Sequence, residues 1–261
     1  MITAFLFDFN GTLMRSPPWM ALELRDLPRA ALAQLAEAGH IQPRDEHQLA
    51  RAEAVFHERR AAAEASHRES SHVDDLTAIL KALDLQAAAS PDLIAETVAW
   101  LHRRCLPTVE LMASVPEMLQ GLRQLGLRLG IVSNAAFAPF LTWTLERFGL
   151  LGYFETVVVS ADVAVRKPGH AIFRIALTRL GLTESAAAYV GDDFVKDVKA
   201  AKELNMRAIW YRPNGDGPPS SDSLRPDGSR LPPGEGVRPD AVVTSHDQIP
   251  LLAEQWLSAA D

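Results

Sequence analysis

The chain has 261 residues, of which 48% are apolar and 23% charged, and its formal net charge is −7. This length allows one large domain, or a core domain with a substantial insertion, and in either case a well-buried core. The acidic balance argues against nucleic acid and anionic membranes as main partners, because both require clustered Lys and Arg. The single cysteine, Cys105, excludes an internal disulfide framework and is typical of a reducing compartment.

No uninterrupted apolar stretch is long enough to span a membrane, and Met1 leads directly into a predicted strand rather than a signal peptide. We therefore expect a cytoplasmic protein, monomeric or homodimeric, with neither a nucleic acid nor a membrane as partner. The acidic balance still allows a local pocket for a small phosphorylated metabolite.

Apolar runs rich in β-branched and aromatic residues predict buried parallel strands at 2–7, 127–132, 156–159, 187–190, 208–211 and 241–243. Apolar residues at three-to-four spacing predict helices at 115–125, 135–148, 168–180, 194–204 and 247–258. Because strand and helix alternate from about residue 110 onward, the pattern predicts a doubly wound, Rossmann-like α/β core with right-handed crossovers. The ligand site of such a sheet lies at the carboxyl ends of its strands.

The segment 15–109 breaks this alternation, because it is rich in Ala, Leu, Glu, Arg and His and contains no convincing strand. Prolines divide it into helices predicted at 19–38, 44–68, 73–83 and 91–104. We therefore predict a core domain formed by 1–14 and 110–261, with 15–109 inserted as a helical cap domain. Gly and Pro are concentrated at 213–239, which predicts a flexible loop within the core.

Polar residues follow four successive predicted strands, in chain order Asp8, Ser133, Asn134, Lys167, Asp192, Asp193 and Asp197. Each has a structural explanation by itself, such as an N-cap at Ser133-Asn134 for a helix that begins with Ala135. Their shared position outweighs those explanations, because the carboxyl ends of parallel strands converge. A carboxylate nucleophile, a hydroxyl, an ammonium and a carboxylate pair with a divalent cation are what phosphoryl transfer through an aspartyl intermediate requires.

The chain resembles the haloacid dehalogenase-like hydrolase superfamily in four motifs that occur in the superfamily's order. The motifs are Asp8-Phe-Asn-Gly-Thr-Leu13, Ile131-Val-Ser-Asn134, Val165-Arg-Lys-Pro168 and Val190-Gly-Asp-Asp-Phe-Val-Lys-Asp197. The helical insertion between the first two motifs resembles the cap of the branch that contains sugar-phosphate phosphatases, nucleotidases, phosphonatases and dehalogenases. The resemblance implies a hydrolase with a Rossmann-like core, and a phosphatase is the expected type.

The resemblance also implies roles for the motif residues. Asp8 would attack phosphorus and become transiently phosphorylated, Lys167 would steady nucleophile and phosphate, and Asp197 would orient that lysine; Asn10 and Thr12 complete the expected catalytic group. The substrate phosphate would be held by Gly11, Ser133, Asn134 and Lys167. Magnesium would be held by Asp8, Asp192, the backbone carbonyl of Asn10 and, through a further contact, Asp193, since oxygen ligands suit this ion.

Asn10 departs from the phosphatase pattern, in which the second residue after the nucleophile is usually an aspartate that transfers protons. An amide can form hydrogen bonds but cannot perform this transfer, and general acid–base catalysis contributes about 10²- to 10⁴-fold in rate. A slow phosphatase, a preference for good leaving groups, an acid supplied by the cap, a branch that does not use aspartate there, and an engineered residue all remain open explanations. Deamidation of Asn10 before Gly11 would regenerate the aspartate.

Three functions follow from these residues. The first is a magnesium-dependent phosphohydrolase of small phosphomonoesters that works through phospho-Asp8. The second is a metal-independent 2-haloacid dehalogenase, in which Asp8 attacks carbon. The third is a phosphate-binding relative with little or no turnover.

The cap contains six of the eight histidines, namely His40, His47, His57, His67, His72 and His102. Several arginines accompany them, which allows either a second anion site or a substitute proton donor. Solvated helix faces are the simpler interpretation, because charged pairs recur at helical spacing. None of the histidines shows a zinc-ligand pattern with cysteines. Trp19 and Met20 lie just beyond the nucleophile turn and could line a substrate cavity or pack in the core.

Overall fold

The computed structural model describes residues 1–213 and 236–259, and the chain divides into two compact units. The core unit comprises Met1–Arg15, Glu110–Asn134 and Leu145–Asp261, and the helical unit comprises Ser16–Val109 and Ala135–Thr144. Residues 214–235 of the loop predicted at 213–239 lie outside the described residues. Among the described residues, no helix combines the length and the apolar character that crossing a membrane requires.

The core unit is built on a six-stranded sheet with the order β5-β4-β1-β6-β7-β8, in which every neighbouring pair is parallel. Two further short strands, β2 and β3, pair with each other in antiparallel orientation. The strands are β1 (Ala4–Phe7), β2 (Met14–Arg15), β3 (Glu110–Leu111), β4 (Arg128–Ser133), β5 (Thr156–Val159), β6 (Ala187–Gly191), β7 (Arg207–Tyr211) and β8 (Ala241–Val243). The predicted doubly wound α/β fold is confirmed.

The central strands are apolar because helices cover both faces of the sheet. All four residues of β1 and all five of β6 are buried. Strand β4 contains a glycine for a steric reason, since a Cβ at Gly130 would lie 2.7 Å from the side chain of Leu6 and 2.8 Å from that of Thr156. A close approach of neighbouring strands therefore explains the residue type at Gly130.

The described helices of the core unit include those predicted at 115–125, 168–180, 194–204 and 247–258, with bounds that differ by at most two residues, and three short helices that were not predicted. They are Val115–Gln124, Leu151–Tyr153, Ser160–Val163, His170–Leu180, Glu184–Ala186, Phe194–Lys199, Ala200–Glu203 and Gln248–Ser258, of which Phe194–Lys199 is a π-helix and the three-residue elements are 3-10 turns. The helix predicted at 135–148 spans Pro139–Arg147, which crosses from one unit into the other. The expected start at Ala135 is wrong, because Asn134 is not its N-cap and instead bonds to Lys167.

The helical unit has no strand among its described residues, and side chains cap four of its helices at the N-terminus. They are Pro17–Ala21, the π-helix Leu22–Asp26, Leu27–Glu37, Glu46–Ser66, His72–Ala82, Pro91–Cys105 and the 3-10 turn Leu106–Thr108. Capping boxes begin two of them, through Asp45 and through Ser71. Trp19 is buried and stacks on Phe140 with 4.7 Å between ring centroids, so its role in this unit is core packing.

We expect Asp45→Ala to lower the free energy of unfolding by about 0.5–2 kcal/mol, because the Asp45 carboxylate accepts a bond from the backbone N–H of Gln48. The urea midpoint measured by far-UV circular dichroism checks this change. Asp45→Asn is the matched control, since it keeps a capping oxygen. Equal destabilisation by both variants would contradict the capping role.

Candidate active site

The predicted site residues of the core unit follow strands that end at the same edge of the sheet. Asp8 follows β1, Ser133 ends β4 and Asp192 follows β6, and these strands are parallel. Carboxylate oxygens of Asp8, Asp192 and Asp197 lie within 4.8 Å of one another, and all three side chains are buried. The parallel sheet therefore brings together acidic residues that lie up to 189 positions apart in the chain.

Lys167 is the centre of the hydrogen-bonded network. Its Nζ lies 2.6 Å from Oδ1 of Asp8 and 2.6 Å from Oδ1 of Asp197, and it donates to the hydroxyl of Tyr189 at 2.9 Å. Tyr189 in turn donates to the carbonyl of Val132 at 2.8 Å. The side chain of Lys167 is only 3% exposed, so its ammonium is held almost entirely by protein groups.

The charges of this network determine its protonation. Burial alone lowers the pKa of Lys167, but the carboxylates of Asp197 and Asp8 outweigh burial and hold that pKa well above its ordinary value. Burial raises the pKa of Asp197 to about 6, against the opposing attraction of Lys167. The lysine is therefore an ammonium at neutral pH and supplies a fixed positive charge beside Asp8.

Asn134 fixes the backbone of Lys167. Its Oδ1 accepts from the Lys167 N–H at 2.8 Å, and its Nδ2 donates to the Lys167 carbonyl at 2.9 Å. Both ends of the amide are thus engaged by one residue. The geometry favours a positioning role for Asn134, whereas the sequence placed it among the groups that bind substrate.

The turn after β1 packs closely against Asp192. Gly11 has φ +87°, and a Cβ at this position would collide with the Asp192 carboxylate. The hydroxyl of Thr12 donates to Oδ1 of Asp192 at 3.3 Å. Gly11 and Thr12 therefore place the turn against a carboxylate, and only glycine meets both the steric and the backbone requirement.

Asp193 is engaged in capping. Its Oδ1 accepts from the backbone N–H groups of Val195 and Lys196 at 2.8 Å each, and it begins the π-helix Phe194–Lys199. Its own N–H donates to Oδ2 of Asp197 at 3.0 Å. Lys196 Nζ lies 3.7 Å from Oδ2 of Asp193. Among the described carboxylates of the core unit, Asp8, Asp192 and Asp197 are close enough to share one ion. The set expected from the sequence contained Asp193 rather than Asp197.

Asn10 and Ser133 have different surroundings. Oδ1 of Asn10 is buried and has no hydrogen-bond partner among the described residues. Such an acceptor costs about 1–3 kcal/mol when it is left unpaired, so a bound donor group or water would stabilise it. Ser133 is buried at the end of β4, one residue before Asn134.

The donor set of this site fits a hard divalent cation. Its available side-chain donors are carboxylate and amide oxygens, which are the ligands that magnesium prefers. Asp8 and Asp192 are the carboxylates best suited to bind it, because Asp197 lies 2.6 Å from Lys167. The backbone carbonyl of Asn10, which is the further ligand expected from the sequence, would lie on the same turn as Asp8.

Three residues of this region were not predicted from the sequence, namely Tyr189, Trp210 and His246. Trp210 donates from Nε1 to the carbonyl of Asp192 at 3.0 Å. His246 is buried, with Nε2 2.8 Å from the Thr12 carbonyl and Nδ1 3.0 Å from the Ala113 carbonyl. A polar aromatic residue within a predicted strand is the signal that could have identified Tyr189 and Trp210, whereas His246 lies three residues after β8 and carries no such signal.

The chain matches the haloacid dehalogenase-like hydrolase family over residues 2–205, which includes all four motifs and the network around Lys167. The chain belongs to this family. It is therefore a hydrolase.

Two proteins illustrate what the chain is similar to. It is 31% identical over 214 residues to the glyceraldehyde 3-phosphate phosphatase of Methanopyrus kandleri, an alignment that covers 81% of this chain and 84% of the relative. Over 107 residues it is 35% identical to the phosphoserine phosphatase of Thermus thermophilus, covering 40% of this chain and 42% of that protein.

Solved structures show the same fold. A HAD phosphatase from Thermococcus onnurineus is 26% identical, with a TM-score of 0.60, and the match covers 97% of this chain and 98% of that one. A 2-haloacid dehalogenase from Pseudomonas syringae pv. Tomato DC3000 is 23% identical, with a TM-score of 0.70, and the match covers 98% and 100%. At that identity the second likeness concerns the fold alone.

We expect Asn134→Ala to lower kcat by about tenfold or more while changing KM little, because the substitution frees the Lys167 backbone without removing a group that touches substrate. Steady-state kinetics with the best substrate of a phosphomonoester panel checks the split. Asn134→Asp is the matched variant, since it keeps the acceptor for the Lys167 N–H and should be milder. A large rise in KM with unchanged kcat would instead indicate substrate binding.

Proposed function

We propose that the protein is a magnesium-dependent phosphohydrolase of small phosphomonoesters, which works through an aspartyl-phosphate at Asp8. The observation that carries the proposal is the position of the Asp8 carboxylate. Its Oδ1 lies 2.6 Å from the Lys167 ammonium, and the carboxylate lies within 4.8 Å of Asp192. A small phosphorylated metabolite is the proposed substrate.

This arrangement suits an attack on phosphorus. The ammonium of Lys167 offsets the negative charge of the nucleophile and of the incoming phosphate, which would otherwise repel each other. Asp8 and Asp192, with the backbone carbonyl of Asn10, would hold magnesium, and the bound ion would neutralise further phosphate charge. Ser133 and the amides near Gly11 would orient the remaining phosphate oxygens.

The proposed reaction has two steps at Asp8. In the first, a carboxylate oxygen of Asp8 forms a bond to phosphorus, and the bond between phosphorus and the ester oxygen breaks, so that the alcohol leaves after taking up a proton. In the second, water attacks phosphorus, the bond to Asp8 breaks, and inorganic phosphate is released with the carboxylate restored. Each step therefore needs one proton transfer.

The relatives support the phosphatase proposal over a dehalogenase. Glyceraldehyde 3-phosphate phosphatases of Methanopyrus kandleri and Methanocaldococcus jannaschii match about four fifths of this chain, at 31% and 27% identity. The likeness to a 2-haloacid dehalogenase is one of fold. The acidic pair near Asp8 also favours phosphate, because a reaction that releases halide has no need for carboxylates that bind a metal ion.

Asn10 sets the expected limit on turnover. Its amide cannot provide the proton that an alkoxide leaving group needs, so alkyl phosphates should react slowly unless another group supplies it. A phenolate or carboxylate leaving group is stable without a proton. We therefore infer that phosphoesters with acidic leaving groups are the better substrates of this chain.

We expect Asp8→Asn to abolish phosphate release, because the substitution removes the nucleophile and keeps the size of the side chain. The measurement is inorganic phosphate released from a panel of phosphomonoesters, with magnesium and with a chelator. The same samples are assayed for halide with a panel of 2-haloacids. Release of halide in the presence of chelator would overturn the proposal, and ligand binding without turnover would indicate a phosphate-binding relative.

We expect Asn10→Asp to raise kcat/KM, which reports formation of phospho-Asp8, by about 10²- to 10⁴-fold for alkyl phosphates and much less for p-nitrophenyl phosphate. The physical reason is that, in this first step, only the alkoxide needs a proton as it leaves. The measurement is the slope of log kcat/KM against leaving-group pKa in both proteins. Asn10→Ala is the control, since it removes the amide without adding an acid, and equal slopes for the parent protein and the Asn10→Asp variant would sink this account.

A further inference from the structure

The helical unit contains a second cluster of metal-ligating side chains. Glu23 lies on the π-helix Leu22–Asp26, His72 begins the helix His72–Ala82, and His102 lies on Pro91–Cys105. Both histidines are 0% exposed and Glu23 is 9% exposed. The expectation that the histidines of this segment lie on solvated helix faces is therefore wrong for His72 and His102.

The three side chains are close enough to hold one ion. One ligand atom from each lies within 4.8 Å of the other two. His72 Nδ1 and His102 Nε2 are 2.9 Å apart, a hydrogen-bond distance. Two imidazole nitrogens on one tetrahedral zinc ion lie about 3.3 Å apart, given Zn–N bonds of about 2.0–2.1 Å. A shift of a few tenths of an ångström would thus convert the bonded pair into a pair of ligands.

A purely structural role explains the histidine pair poorly. The bond between the rings uses one nitrogen of each, and the other two, His72 Nε2 and His102 Nδ1, have no hydrogen-bond partner among the described residues. In neutral imidazoles one of these is an N–H and the other a lone pair, whichever ring donates. A buried polar pair that is only partly satisfied is less stable than apolar side chains of similar size.

The surroundings are suited to metal binding. Both imidazoles are fully buried beside the carboxylate of Glu23, so nitrogen and oxygen ligands lie together out of contact with water. The backbone N–H of Ala136 donates to Oε2 of Glu23 at 2.9 Å, and the backbone carbonyl of Ala136 accepts from the backbone N–H of His72 at 2.9 Å. Outer contacts of this kind orient carboxylate ligands.

The charged residues beside the cluster leave room for a cation. Arg59 and Arg60 form ion pairs with the buried Asp75, and Arg60 also pairs with Glu69. With Glu23, these residues amount to three carboxylates and two guanidinium groups, so their net charge is −1. A bound dication would change this net charge to +1.

We propose that Glu23, His72 and His102 form a binding site for a first-row transition metal dication, with zinc as the best-fitting ion. Two imidazoles and a carboxylate are a donor set that zinc uses in proteins, whereas magnesium requires oxygen ligands. The site is distinct in chemistry from the carboxylate set of the core unit. It does not depend on the phosphatase proposal.

Cobalt(II) titration of the full chain, after treatment with chelator and in millimolar magnesium, tests the site. Magnesium occupies oxygen-only sites, and cobalt reports imidazole ligation through its visible absorption. We expect one equivalent to bind with such a spectrum, and Glu23→Gln and His102→Gln to weaken binding by about 100-fold or more. Asp192→Asn is the control for the carboxylate set of the core unit, and His57→Gln is the control for an exposed histidine of the helical unit. Both variants should bind cobalt with the affinity and the spectrum of the parent protein.

Two results would overturn the proposal. One is the absence of a saturable cobalt spectrum, which would leave the histidines as a pair that shares a proton. The other is loss of the spectrum in Asp192→Asn with retention in His102→Gln, which would place the ion among the core carboxylates. Zinc-edge X-ray absorption of the parent protein needs no variant to fold, and it should show two imidazole nitrogens at about 2.0–2.1 Å. Oxygen-only coordination there would equally overturn the site.

Discussion

The core unit depends on one buried ammonium. Lys167 Nζ lies 2.6 Å from a carboxylate on either side, and the side chain is 3% exposed. Taking a charge of this size out of water costs several kcal/mol, and removal of one partner of a buried pair costs about 3–5 kcal/mol. The fold therefore has to keep Asp8 and Asp197 beside Lys167, so the geometry of the site and the stability of the sheet are coupled.

Most strands of the core could be predicted from the sequence because they are buried on both faces. Such strands appear as continuous apolar runs, and β5 begins and ends where the pattern placed it. The bounds of the edge strand β8 were also predicted, although Val242 at its centre is exposed. The helix expected at Ala135 begins at Pro139. The local pattern suggested an N-cap at Asn134, but the amide of that residue is bonded to the backbone of Lys167, 33 positions away.

The contacts that position the site could not be predicted, because they depend on which strands become neighbours. Tyr189 on β6 accepts a hydrogen bond from Lys167, which follows β5 at the other side of β1 and β4, and His246 reaches the Thr12 carbonyl across 234 positions of chain. The sequence also did not indicate which histidines of the helical unit are buried. Two of its histidines lie in the interior, and helical spacing of charged residues gave no sign of which ones.

The structure separates binding from proton transfer in the proposed reaction. The contacts among Asp8, Lys167 and Asp197 do not involve the Asn10 side chain, so charge neutralisation at the nucleophile is complete without an acid at position 10. Formation of phospho-Asp8 then depends on how well the leaving group bears negative charge. Its hydrolysis depends on a water molecule that must lose a proton whatever the substrate was. An amide at this position therefore slows the second step for every substrate and the first only for basic leaving groups, which makes the aspartyl-phosphate the species expected to accumulate.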